Sequence, residues 1–336
     1  MRLSELGEFR LIEAIRKATP KGRGVLLGIG DDAAWVKCRN HSTLITSDIL
    51  IEGVHFNLKW TSFYSLGYKT LAVNLSDVAA MGGEPAYLIL SLGIPVDFST
   101  DSIEEFYRGI RALASKAGVA LVGGDTSAAD RFLVSATLIG HAPCGVIKRS
   151  GARVGDDLYV TGTVGDSSLG LEFLKKKKGH PKSNGIGYLI SRHNIPTARL
   201  KTGAILAREK LAKAMIDISD GLLQDLGHVC KASGVGAVIW SHALPLSQAY
   251  RSYAGRKGAL FALTGGEDYE LLFSLRPKDR ARLEAFRKKL GAPVTRIGQC
   301  VPSRDGIKVI DEKCKPLSIP VMGYDHFKKN HRLPLP

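Results

Sequence analysis

Carboxylates set beside glycine at the ends of apolar runs are the residues in this chain that could do chemistry. Gly28-Ile29-Gly30-Asp31-Asp32 follows Val25-Leu26-Leu27, Thr46-Ser47-Asp48 follows Leu44-Ile45, and Gly123-Gly124-Asp125 follows Leu121-Val122. Asn74-Leu75-Ser76-Asp77 ends a helical pattern shortly before Gly82-Gly83. Asp217-Ile218-Ser219-Asp220-Gly221 precedes another, and Gly265-Gly266-Glu267-Asp268 precedes Tyr269-Glu270-Leu271. One such turn reads as a turn or a helix cap, as Asp220 does taken alone. Five or six of them in a chain rich in Lys and Arg read differently. Adjacent acids such as Asp31 and Asp32 repel each other unless a cation sits between them. Oxygen-only ligands with Ser and Thr hydroxyls suit a hard ion, Mg²⁺ rather than Zn²⁺. The commonest use of Asp-held Mg²⁺ is to neutralise phosphates during phosphoryl transfer.

Other chemistries lack their residues. The chain has no G-x-x-x-x-G-K-[ST] loop and no protein-kinase signature set. Gly28-Ile29-Gly30-Asp31-Asp32-Ala33 imitates the start of a dinucleotide loop, but two carboxylates there would repel a bare pyrophosphate. His55, His193, His228 and His242 are dispersed, with no nucleophilic triad around them. Five cysteines (38, 144, 230, 300, 314) lie far apart without a C-x-x-C pair, as reduced thiols do. The net charge of +15 admits nucleic acid, a membrane surface or anionic substrates. No nucleic-acid motif supports the first. The densest basic run, Lys175–Lys178, sits beside Gly, Pro and Ser and reads as a solvated loop. No apolar run is long enough to span a membrane, and the N-terminus carries Glu5, Glu8 and Glu13 in place of a secretion signal, so a cytoplasmic protein is expected.

The elements that must position these acids alternate. Strands are expected at Val25–Ile29, Thr43–Ile45, Tyr87–Leu92, Phe132–Ile139, Asp157–Thr161, Ala237–Ile239 and Tyr269–Phe273. One helix starts after Thr100, presents Ile103, Phe106, Tyr107, Ile110 and Leu113, and stops at Gly118. Another starts after Asp220, presents Leu222, Leu223, Leu226, Val229 and Cys230, and stops at Gly234. The class is α/β (α+β). The polar, Gly-rich Lys148–Asp157 segment places a boundary near 150, dividing 1–149 from 150–336.

Taken in order, GIGDDAA, TSDILIEGVHF, KTLAVNLSDVAAMGGEP, LVGGDTS, RSGARVGDDLYVTG, DISDGLLQDLGH, TGGEDYELLF and GYDHF resemble the thiamine-monophosphate kinases of the aminoimidazole ribonucleotide synthetase-like superfamily. The resemblance runs from Gly7 to Phe327, nearly the whole chain. It implies two α/β domains with mixed sheets flanked by helices: an N-terminal ATP/Mg-binding and dimerisation domain, and a C-terminal one completing the site. It implies a homodimer, several Mg²⁺ ions, and transfer from ATP to thiamine monophosphate. By motif position it assigns Asp32, Thr46, Ser47, Asp48, Asp77, Asp125, Asp217 and Asp220 to metal. It assigns Tyr107, Gly124, Asp125, Arg149 and Ser219 to ATP, and His55, Glu267 and Tyr324 to the thiamine substrate. The Lys-rich segment 175–184 and the high charge follow no motif of the family.

A phosphate acceptor has a second pKa of about 6 and is already mostly dianionic at neutral pH. It needs no general base, so no catalytic dyad is expected. The obstacle is bringing two polyanions together. The first turn of the helix after Asp220 is expected to offer amide N–H groups to phosphate. Two rivals stay in the superfamily. Selenophosphate synthetases rely on a reactive residue in an N-terminal loop, yet no Cys precedes Cys38; hydrogenase-maturation relatives use a terminal Cys, yet this chain ends Leu-Pro-Leu-Pro. A non-catalytic nucleic-acid binder is favoured by charge alone.

Overall fold

Long runs of apolar residues with polar stops build two six-stranded sheets and the helices that cover them. The computed structural model of the chain describes residues 8–18, 24–38, 41–176, 183–255, 258–319 and 323–324. Most of the Lys-rich segment, the last three residues of GYDHF and the C-terminal tail lie outside the described residues. The first sheet contains β1 (Val25–Leu27), β2 (Ala34–Cys38), β3 (His41–Ile51), β4 (Glu84–Ile94), β5 (Ala120–Ala128) and β6 (Leu133–His141), ordered β1-β2-β3-β6-β4-β5. Only the β4–β5 pair is parallel. The second contains β7 (Asp157–Thr161), β8 (Ala212–Asp217), β9 (Val235–Trp240), β10 (Leu271–Leu275), β11 (Val294–Pro302) and β12 (Ile307–Ile310), ordered β12-β9-β11-β7-β10-β8. There only β9–β12 is parallel. Both sheets are thus mixed, each beside its own apolar core, in the expected α/β class.

The helices are α1 (Glu8–Ala18), α2 (Phe63–Ala80), α3 (Thr100–Ala117), α4 (Asp166–Lys175), α5 (Asn184–Asn194), α6 (Leu200–Arg208), α7 (Leu222–Ser233), α8 (Gln248–Tyr253), α9 (Leu260–Thr264) and α10 (Arg280–Phe286). The stops read from sequence are explicit for α3 and α7. Gly118 and Gly234 end them at φ +69° and +68°, and their N–H groups bond Ala114 and Cys230.

Helix α2 is buried on nearly every side. It packs on α3 and β3 in the first half and on α6 and β8 in the second, so it is shared between the two. Two glycines allow the α2–α3 crossing. A Cβ on Gly67 would fall 1.9 Å from the Phe106 carbonyl oxygen, and one on Gly109 would fall 2.0 Å from that of Tyr64. The backbones therefore touch there; at the other end of α2, a Cβ on Gly203 of α6 would fall 2.1 Å from the Ala79 carbonyl oxygen, which fixes the helix beside Asp77.

Where the observed strands differ from the expected ones, backbone conformation accounts for one case. Tyr269 has φ +52° and Glu267 φ +65°, so the expected strand at Tyr269 begins at Leu271.

Glycine substitutions separate close approach from helix propensity. Gly109→Ala gains about 1 kcal/mol of propensity but incurs about 3 kcal/mol of overpacking, for a net loss of about 2 kcal/mol. Gly187 in α5 has nothing within 4 Å of its missing Cβ. Gly187→Ala should therefore stabilise by about 0.5–1 kcal/mol. Urea unfolding of both variants checks the contrast.

Candidate active site

The acids converge because three elements end at one place. Asp77 stands in the last turn of α2, Asp217 ends β8, and Asp32 lies just before β2. One carboxylate oxygen from each lies within 4.8 Å of the others. Asp48 and Thr46 occupy alternate positions on β3 and so share a face. Thr46 Oγ1 donates to Asp77 Oδ2 at 2.5 Å, and Ser76 Oγ donates to Asp217 Oδ2 at 2.6 Å. The Arg149 guanidinium donates to Asp32 Oδ1 at 2.8 Å, leaving Asp32 Oδ2 buried without a partner. The Arg149 backbone N–H donates to both oxygens of Asp31, at 3.2 and 3.1 Å.

The charges are poorly matched. Burial, then repulsion from Asp48, Asp217 and Asp32, holds the Asp77 carboxyl well above the usual range. Burial and Asp32 push Asp217 up to about 8. Asp31 is pushed up to about 7 by burial and Asp32, and Asp48 to about 6 by burial. The Arg149 pKa is raised as well: burial would lower it, but Asp32 outweighs burial and keeps the guanidinium charged. The α2 C-terminus adds the negative end of its dipole beside Asp77. A cluster of oxygen ligands, one of them orphaned, with surplus negative charge fits a hard divalent cation.

Other predicted residues are placed differently. The Ser47 side chain lies on the opposite face of β3, 3.0 Å from the Thr137 hydroxyl, apart from Thr46 and Asp48. Gly124 and Asp125 are on β5, an exposed edge strand separated from β3 by β6 and β4, about 14 Å along the sheet. Tyr107 packs against the first core, edge-on to Phe106. The half-buried His55 accepts the Ile51 N–H on Nδ1 at 3.0 Å. Tyr324 is exposed, with its backbone tied to Asp220 and Gln224.

Glu267 is held from both halves. Lys69 of α2, itself 1% exposed, pairs with it at 2.8 Å, and His193 of α5 lies 3.1 Å away. Burial would raise the Glu267 pKa, but Lys69 and His193 outweigh it and hold it far below the usual range. Ser167 and Glu267 both meet His193 at Nδ1, so these three form no proton relay through the ring.

The loop carrying Asp217 to Gly221 is braced against the loop carrying Glu267. The Glu267 N–H donates to the Ser219 carbonyl at 2.7 Å, and a Cβ on Gly266 would fall 2.3 Å from that oxygen. The turn that leads into α7 is closed by one carboxylate from the helix itself. The N–H groups of Ser219, Asp220 and Gly221 all donate to Asp225 Oδ2, at 3.1, 3.2 and 3.1 Å. Gly221, not Asp220, stands at the N-cap of α7, with no side-chain cap bond there. Lys69, Ser76, His193 and Asp225 were missed as members of this assembly, and Asp31 was given no role beyond its repulsion of Asp32. Their signals were faint: an acid in the first turn of α7, and a Lys in the middle of α2.

A site built by acids from both halves of a two-sheet chain defines the class. Residues 30–142 match the family model "AIR synthase related protein, N-terminal domain", and residues 153–311 match its C-terminal counterpart. Thiamine-monophosphate kinase of Escherichia coli (strain K12) is 42% identical over 327 residues, 96% of this chain and 98% of that one. The enzyme of that name from Aquifex aeolicus (strain VF5) is 38% identical, over 97% of this chain and 100% of that one. The solved structure of AaThiL complexed with AMPPCP and TMP has a TM-score of 0.84 and 36% identity, covering 97% of this chain and 99% of that one. The chain belongs to the thiamine-monophosphate kinase family of the AIR synthase related proteins.

Two predictions follow from these charges. Because Asp31, Asp48, Asp77 and Asp217 have raised pKa values in the fold, the native state binds more protons than the unfolded state above about pH 4. Cation-free stability should fall as pH rises from about 5 to about 8, and Asp217→Asn should flatten that slope. Thermal scans in EDTA measure it, and added Mg²⁺ should raise Tm most at the alkaline end. Separately, Lys69→Met should cost about 3 kcal/mol by stranding Glu267, and Lys69→Met with Glu267→Gln should recover part of it. Urea unfolding of the single and double variants measures both.

Proposed function

We propose that this chain transfers the γ-phosphoryl group of ATP directly to the phosphate of thiamine monophosphate, giving thiamine diphosphate and ADP. The observation that carries the reading is the meeting of Asp32, Asp77 and Asp217 within 4.8 Å, with one buried oxygen lacking any partner. Those residues, with Asp48, would hold Mg²⁺, and bound Mg²⁺ would neutralise and orient the phosphates.

The chain's own residues then have defined tasks. Arg149 is fixed by Asp31 and Asp32 and presents a permanent positive charge beside the acids. Asp225 spends its carboxylate on three amides and so holds the Asp217–Gly221 turn rigid. The Lys69–Glu267 pair ties α2 to the second half, so that Asp77 and Asp217 keep their distance. The acceptor is already an anion, so no residue needs to remove a proton from it. Gly124, Asp125 and Tyr107 remain proposed ATP contacts, reached at the far edge of the first sheet. Asp220 remains a proposed metal neighbour, Ser219 a nucleotide neighbour, and His55, Glu267 and Tyr324 proposed neighbours of the thiamine ring.

A homodimer and a cytoplasmic setting belong to the same reading. Ile49, Tyr87 and Ile89 are large apolar side chains exposed on one face of the first sheet, as a sheet-to-sheet interface requires. No helix among the described residues is long and apolar enough to cross a membrane. The rival superfamily chemistries draw no support from the relatives, which carry the kinase name across 96–97% of this chain.

The test is incubation with ATP, Mg²⁺ and thiamine monophosphate, followed by chromatography of thiamine diphosphate. Asp217→Asn should lower turnover by roughly 10²–10³ while leaving the cation-free Tm unchanged or higher. No product from folded protein overturns the reading. A ³²P-labelled protein formed on ATP alone overturns direct transfer.

A further inference from the structure

A cluster of cations lies at the other end of the second sheet from the acids. Asp217 pairs with Leu271 of β10, whereas Asp157 of β7 pairs with Leu275, four residues further along. That is about 14 Å along the strand direction. At the Asp157 end an open cavity of about 470 Å³ is lined by Tyr159, Arg280, Arg287 and Arg296, with Glu284 and Thr295 at its wall. None of these residues belongs to the acid site.

The cavity is organised. Asp157 is fully buried and binds the Arg280 guanidinium through two oxygens, at 2.6 and 2.8 Å. The same carboxylate takes Arg296 at 2.6 Å, and the Arg296 guanidinium lies over the Trp240 ring at 4.7 Å. One carboxylate therefore sets two guanidiniums side by side and neutralises only one of them. Each guanidinium has five N–H donors. Arg280 spends its Nε and one terminal nitrogen on Asp157, and Arg296 spends one terminal nitrogen. Arg287 adds a third cation from the end of α10, held only by an exposed pair with Glu284 at 3.1 Å. Exposed pairs of that kind are worth up to about 1 kcal/mol and yield easily to a stronger anion. Lys288 and Lys289 follow on the exposed surface.

Paired guanidiniums match the oxygens of phosphate groups, and the volume suits a small molecule. We propose that this cavity is a second anion site, specific for adjacent phosphates on a small molecule, and separate from the acid-lined centre. It gives a task to part of the basic charge that the transfer reaction does not need.

The two sites differ in what they require. The acid cluster repels phosphate without a divalent cation, whereas an arginine site does not need one. The test is isothermal titration of the full chain with inorganic pyrophosphate in EDTA at low salt. The expected result is one site per chain with Kd below about 1 mM. Arg296→Gln should weaken it about tenfold or more, since a charge-assisted bond is worth about 1.5–3 kcal/mol. Arg287→Ala, at an exposed pair with no packing role, should weaken it about threefold or more with Tm unchanged. The absence of binding by the unaltered chain overturns the proposal. So does equal affinity in Arg287→Ala, a variant whose folding is not at stake even if Arg296→Gln fails to fold.

Discussion

Mutual repulsion among buried carboxylates is the constraint around which this molecule is arranged. Asp77 and Asp217 are pushed towards their protonated forms by burial and by each other's neighbours, and Asp32 has an oxygen with nothing to bind. A fold gains no stability from such a place. It persists because the surrounding structure over-determines it, and such strain marks sites where something else is to be bound.

That over-determination can be followed residue by residue. Glycine contacts seat α2 against α3 at Gly67 and against α6 at Ala79, two residues from Asp77. Lys69, one helical stretch earlier, is buried with Glu267 and locks α2 to the second half. Asp225 absorbs the free amides of the Asp217–Gly221 turn, which removes the tendency of that turn to seek other acceptors. Arg149 lies between the two sheets in sequence and binds Asp31 through its backbone and Asp32 through its side chain. Each device works across the chain, and each fixes one ligand position from outside.

The sequence made the acids and the class legible because glycine turns and apolar periodicity are local signals. The Asp157–Thr161 strand and the stops at Gly118 and Gly234 depend on nothing distant. Strand β11 was not read, since Val294–Pro302 carries Arg, Gly and Gln and takes its pairing from β7 and β9. Strand β8 was missed for a similar reason: Ala212–Asp217 is short and Ala-rich, and its identity comes from β10. Lys69 and His193 were invisible as partners of Glu267 because the three are brought together only by packing between halves. Ser47 shows the reverse limit. A three-residue motif placed it with Thr46 and Asp48, but strand alternation turns its side chain to the other face.

The same motif type also yields acids with opposite uses, and their partners tell them apart. Glu270 is fully buried against Arg192, Arg199 and Thr161, and Asp157 against Arg280 and Arg296. Asp268 takes amides from Gly165 and Ser167. Glu270 and Asp157 thus have cations built into the chain, whereas burial pushes Asp268 up to about 8 despite its amides. Asp77 and Asp217 have instead a neutral hydroxyl each, from Thr46 and Ser76, and one another. A hydroxyl orients a carboxylate without cancelling its charge. An acid that is buried, oriented and left uncompensated is prepared for a cation from outside the chain, and in this fold that description selects the acids from both halves that meet at the end of α2.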